Sequence, residues 1–191
     1  MKQWQLKPIA QTTERYITLT ASVEIDRDPL SGKPIYFTLR FIDSYQFLTA
    51  ALDSLVLSLD RNLMTHTKNA LKQRFPKLDD DILFKKGIFP YSYMDNEAKL
   101  QERHLPTMSD FFDTLYNSLR ITEAEYAHAQ KAFTQFNCQN LHDYLLRYLE
   151  LDCLLLADVF ENFRLTSTAH TGQLDPVNFI TLPRYSFAAA F

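Results

Sequence analysis

From residue 15 to 25 the chain reads RYITLTASVEI, with Ile17, Leu19, Ala21, Val23 and Ile25 at every second position. That is the period of a strand with one apolar face. DRDPLSGKP (26–34) sets two prolines and a glycine among polar residues, a turn composition, and IYFTLRFI (35–42) alternates again, so the two runs predict a β-hairpin. Asp43 and Ser44 interrupt the pattern. Behind them Tyr45, Leu48, Leu52, Leu55, Val56 and Leu59 recur at helical spacing, after a short polar residue able to cap exposed N–H groups. The expected order is strand, carboxylate, helix.

Between Arg61 and Arg120 the periodicity weakens. A short helix to Arg74 is expected there. An extended segment follows, anchored by Phe84, Phe89, Tyr91 and Tyr93 around Gly87, and then a helix over 110–119. Thr122 with Glu125 forms a capping box for a helix through Ala132. Asn140, with Asp143 at the third helical position, starts a long helix to about Arg164. The closing LDPVNFITLPRYSFAAAF is apolar and broken by Pro176 and Pro183, and such a segment needs a surface to cover.

The composition supports one packed domain, or one with a small appendage: of 191 residues, 46% are apolar, 14% aromatic and 23% charged. Twenty basic against 23 acidic side chains give a net charge of −3, which rules out a polybasic nucleic-acid binder but leaves room for a local basic groove. The three glycines, Gly32, Gly87 and Gly172, are too far apart for GxGxxG or GxxxxGK[ST], so Gly-loop nucleotide enzymes are excluded. Cys138 and Cys153 form neither a disulfide framework nor a CxxC, pointing to a reducing compartment. No apolar run has the length of a signal peptide or a membrane span, so a soluble, intracellular protein is expected.

One constellation carries chemistry. The final helix has an apolar stripe of Leu141, Tyr144, Leu145, Tyr148, Leu155, Leu156, Val159 and Phe163, and Asp152 falls inside it. A carboxylate in that phase requires a cation, a metal or a wet cleft beside it, or else a raised pKa. Tyr148 stands one turn before it on the same face, so a phenol and a carboxylate meet at one point. The bland reading is an amphipathic helix with a half-exposed Asp near a core tyrosine.

The surrounding residues add a resemblance. YLELDCLLLADVFENFR (148–164) resembles the YLKTDVLLLADVFENFR segment, the third exonuclease motif, of protein-primed family B DNA polymerases, as found in Maverick/Polinton elements, phages and linear plasmids. RFIDSYQFLTAALDSL (40–55), KKGIFPYSYMD (85–95), EYAHAQKAFTQFN (125–137) and LDPVNFITLPRYSFAAAF (174–191) resemble further segments of that family in the same order.

The resemblance implies an α/β fold, the C-terminal half of a RNase H-like, DnaQ-type 3′–5′ exonuclease domain with a small mixed sheet and several helices. The resemblance also implies the division of the chain: the partial domain would occupy residues 1–170, and residues 171–191 would lead into a polymerase palm. In that chemistry two divalent ions, Mg²⁺ or Mn²⁺, sit on four carboxylates and stabilise the charge that develops at phosphorus. Asp152 would be a metal ligand and catalytic residue, and Tyr148 would orient the attacking water. Asp43 is a secondary candidate for the cleft, though an N-cap role from Ser44 fits it better. The intact enzyme would act on DNA, with a terminal priming protein as partner.

The departures are equally specific. The family's DxE and second exonuclease motif should precede Arg15, yet residues 1–14 hold one carboxylate, Glu14. The SLYP- and DTD-type palm sequences are absent, and Arg184 and Ala189 replace the usual Gly and Asp. The expectation is therefore a polymerase fragment that binds no metal tightly by itself. The alternative is a non-catalytic module that binds DNA or a protein through its sheet edge and apolar C-terminus.

Lys68, Lys72, Arg74, Lys77, Lys85 and Lys86, interleaved with Phe75, Phe84 and Phe89, are candidates for contacts to single-stranded DNA, or else a solvated helix followed by core aromatics. His66, His104, His128, His142 and His170 lack zinc spacing and read as surface or capping residues, and Asp79, Asp80 and Asp81 read as a solvated loop.

Overall fold

A computed structural model describes residues 4–10, 12, 16–111, 121–172 and 174–191. The chain divides into two units, one of residues 1–50 with 164–191 and one of residues 51–163.

The first unit is built on a three-stranded sheet, β1 (Gln5–Ala10), β2 (Tyr16–Arg27) and β3 (Pro34–Ile42), in the order β1-β2-β3. The expected hairpin is β2 with β3. In its turn Asp28 Oδ1 accepts from the N–H groups of Leu30 and Ser31, and Gly32 takes a φ of +67°, which suits glycine. These backbone donors hold the Asp28 carboxyl below its ordinary range.

Both strand pairings are antiparallel, in place of the expected mixed sheet. The connections among these strands are too short for the crossover that a parallel pair needs. β1 has no counterpart among the predicted elements, because Lys7 and Pro8 break its alternation; proline is tolerated there because β1 lies at an edge. Ile25 departs from the predicted buried face. It lies at the register shift between Glu24 and Asp26 and is exposed, while Ala21 and Val23 are buried.

The predicted helix from Tyr45 is interrupted. Ser44–Gln46 forms a 3₁₀ turn, and α1 starts only at Leu52 and ends at Ser58. The chain buries Phe47 and leaves Tyr45 exposed, which a continuous helix in the predicted phase would not do. Glu14, Arg15 and the predicted helix beyond Phe111 lie outside the described residues; Met108–Asp110 forms a 3₁₀ turn.

In the second unit α2 (Thr65–Arg74) matches the short helix expected to Arg74. α3 (Asp80–Leu83) replaces the loop expected at Asp79–Asp81. Lys131 bridges Asp79 and Asp81 and Lys72 pairs with Asp80, so all three carboxylates are ion-paired, with Asp80 and Asp81 in the helix and Asp79 at its N-cap. They also favour the start of α3.

α4 (Glu123–Gln135) begins at the predicted capping box: Thr122 Oγ1 accepts from Glu125 N, and Glu125 Oε2 accepts from Thr122 N. α5 (Leu141–His170) begins behind Asn140, whose Oδ1 accepts from Asp143 N, and runs six residues beyond Arg164. Its buried positions in this unit are Leu141, Tyr144, Tyr148, Leu151, Leu155, Asp158 and Val159, while Leu145, Leu156 and Phe163 are half-buried.

α5 also contributes its last residues to the first unit. There Arg164 makes a two-pronged ion pair with Asp175, at 3.1 and 2.5 Å. Asp175 also caps a 3₁₀ turn over Pro176–Asn178. α6 (Leu182–Ala189) occupies the segment read as broken. Pro183 lies in its first turn, where a missing N–H is harmless. Among the described residues no helix is long and apolar enough to cross a membrane.

Candidate functional site

Asp152 and Tyr148 project from consecutive turns of α5 in the second unit. Tyr148 is buried, at 5% exposure, and Asp152 is half-buried. Aromatic contacts fix the Tyr148 ring. Phe89 packs 5.4 Å from it and Tyr91 5.9 Å from it, edge-on, while Phe89 also stacks on Tyr144 at 6.0 Å. Gly87 allows this approach, because a Cβ there would stand 2.8 Å from Cδ2 of Tyr148. Tyr144 ties the same segment down by donating its hydroxyl to the Ile88 carbonyl at 2.6 Å.

The hydroxyls form a directed chain. Tyr91 donates to the Tyr148 oxygen at 2.6 Å, which leaves the single Tyr148 proton available to Asp152 or to a water. Burial, the Tyr91 hydrogen bond and the Asp152 charge push the Tyr148 phenol far above its ordinary pKa, so it remains a donor. Burial raises the Asp152 carboxyl above its ordinary value, while hydrogen bonding by Tyr148 and the charge of Lys86 pull it down. Oδ1 of Asp152 is shielded from solvent and has no hydrogen-bond partner. A buried carboxylate oxygen without a protein donor is costly unless the carboxyl is protonated or a water or cation meets it.

That oxygen suits one ligand of a hard divalent cation. The donor set is not completed: among the described residues no group of three or more His, Cys, Asp or Glu side chains could hold a metal ion. One carboxylate does not fit a two-ion centre, which needs several oxygen ligands around each cation.

The other predicted residues go elsewhere. Asp43 belongs to the first unit and accepts from Tyr45 N at 3.0 Å, the capping role the sequence favours. Lys72 donates to the Leu78 carbonyl, and Arg74 pairs with Glu150, which also holds Arg147. Lys68 is exposed, Lys85 lies near Glu125 and His128, and Lys86 lies near Asp152. Phe84 and Phe89 are buried, so their rings serve the core and offer no stacking surface. His128, expected at the surface, is buried on α4 with Nε2 unpartnered, and burial lowers its pKa.

Among the described residues the fully buried carboxylate is Asp158, which is not among the candidates the sequence singles out. Its two oxygens accept from His66 N at 2.8 Å and Thr67 N at 2.9 Å, capping α2 from a helix about ninety residues away. The signal is present in the spacing, because Asp158 continues the Leu151 and Leu155 stripe at the next turn.

No family profile, curated protein or solved structure matches this chain significantly.

Proposed function

We propose that the chain is the part of a protein-primed family B DNA polymerase that carries the third exonuclease motif, within a RNase H-like 3′–5′ exonuclease domain. The sequence support is the resemblance of five segments in family order. The observation that carries the chemistry is the solvent-shielded, donor-free Oδ1 of Asp152 one turn from a phenol that remains protonated. A carboxylate so placed would supply one oxygen to a divalent cation once further ligands complete the site, and the cation would supply charge to neutralise phosphate. Tyr148, oriented by Tyr91, supplies a donor to a water or to the terminal phosphate.

In the complete domain, carboxylates from other segments would join Asp152, and DNA would be the substrate. The test is binding of a 5′-labelled single-stranded oligonucleotide with and without Mn²⁺, followed by fluorescence anisotropy. Mn²⁺ is expected to tighten binding to the wild-type chain and to leave Asp152→Asn unchanged. Equal Mn²⁺ dependence in both proteins, or none in either, contradicts the reading.

A further inference from the structure

The two edges of the sheet differ in kind. The β1 edge carries Lys7, Pro8 and a register shift at Ile9/Ala10, the features that discourage strand addition. β3 confines them to its start, with Pro34 as its first residue and the register shift of its ladder at Glu24/Asp26. From Ile35 to Ile42 it contains no proline or glycine and one charge, Arg40, and among the described residues no strand pairs with its outer side. Its large side chains are far from covered, with Tyr36 43%, Phe37 48%, Leu39 40% and Phe41 56% exposed. An open strand of nine residues with this composition is a template for another strand.

We infer that β3 pairs antiparallel with β3 of a second copy of this chain, joining two three-stranded sheets into one. A two-fold axis at Thr38 is the placement that pairs all nine residues, and it sets Ile35 against Phe41 and Phe37 against Leu39 on one face. Opposed residues of an antiparallel pair share a face, so the apolar side of each sheet continues into the other. The register accommodates a like partner without opposing like charges. In this register Arg40 meets the aromatic ring of Tyr36 of the second copy rather than another Arg40, and the contact at the axis is Thr38 with Thr38. The outer edges of the joined sheet are then the two β1 strands, already protected, so the assembly closes at two copies. This pairing is independent of the role of Asp152.

The test is sedimentation of the full chain over a wide concentration range, with variants at the axis. The wild type is expected to show a monomer–dimer equilibrium. Thr38→Lys and Thr38→Glu each oppose like charges at the axis and should weaken it by roughly 2- to 5-fold. Mixing these two variants should restore a heterodimer, which also shows that both are folded. In a Cys153→Ser background, oxidised Thr38→Cys should form a disulfide-linked dimer. A monomer at every concentration overturns the inference and leaves the edge to a different protein. Open-ended oligomers, or a dimer indifferent to charge at residue 38, also overturn it.

Discussion

The Tyr148 ring is held by one residue that has no side chain. Adding a methyl at Gly87 forces it against Cδ2 of Tyr148, a ring already packed by Phe89 and Tyr91, so nothing nearby yields cheaply. Gly87→Ala is expected to cost about 1–3 kcal/mol in urea unfolding and to shift the Tyr148 ring resonances; unchanged stability and resonances would contradict the packing. Asp152 gives a prediction with a definite sign. Its folded pKa is raised, so between the ordinary carboxylate value and the raised one the native state holds more proton than the unfolded chain. Stability therefore falls as pH rises through that window. Asp152→Asn should be more stable than wild type at neutral pH, with the advantage shrinking below the ordinary carboxylate range. A variant that is less stable at neutral pH would show that the charge is compensated. The YxxxD spacing makes this pair legible in the sequence. The clamp on it is not, because Gly87, Phe89 and Tyr91 come together with Tyr148 only in the fold.

At the scale of elements, Asp158 joins α5 to α2. Replacing it with Ala strips the acceptors from two N–H groups in the first turn of α2, one of them on the fully buried Thr67. The loss is expected to be about 1–3 kcal/mol, with hydrogen-exchange protection lost first at His66 and Thr67. Retained protection there would mean that α2 is capped in another way. The elements that the sequence predicts well, the hairpin, α2, α4 and α5, are those whose signals are local: alternation, a Gly-bearing turn, a capping box and an Asn cap. Those it misses depend on context. β1 becomes a strand because β2 offers it a partner, α6 tolerates Pro183 because the proline falls in its first turn, and the chain after Asp43 breaks its helical phase to bury Phe47. The burial of Asp158 is legible from its phase with Leu151 and Leu155, but its capping role is not, since its partners lie on another helix.

For the whole molecule, the proposed reading is of a chain that contributes one metal-side carboxylate, Asp152, to an exonuclease site. Two-ion catalysis needs both cations held roughly 3.5–4 Å apart by several oxygen ligands, and Asp152 alone does not provide them. The isolated chain is therefore expected to release no mononucleotides from 3′-labelled single-stranded DNA in Mg²⁺ or Mn²⁺. Metal-dependent release that disappears in Asp152→Ala would mean that further carboxylates, Asp43 or Glu14 among them, complete the site. The most direct test of the central claim is a Mn²⁺ titration of the isotope-labelled chain, reading paramagnetic broadening of the amide resonances in wild type, Asp152→Asn and Asp43→Asn. The account predicts weak binding that broadens residues around Tyr148 and Asp152, is abolished in Asp152→Asn and persists in Asp43→Asn. Broadening that survives in Asp152→Asn, or that centres on another carboxylate, would contradict it.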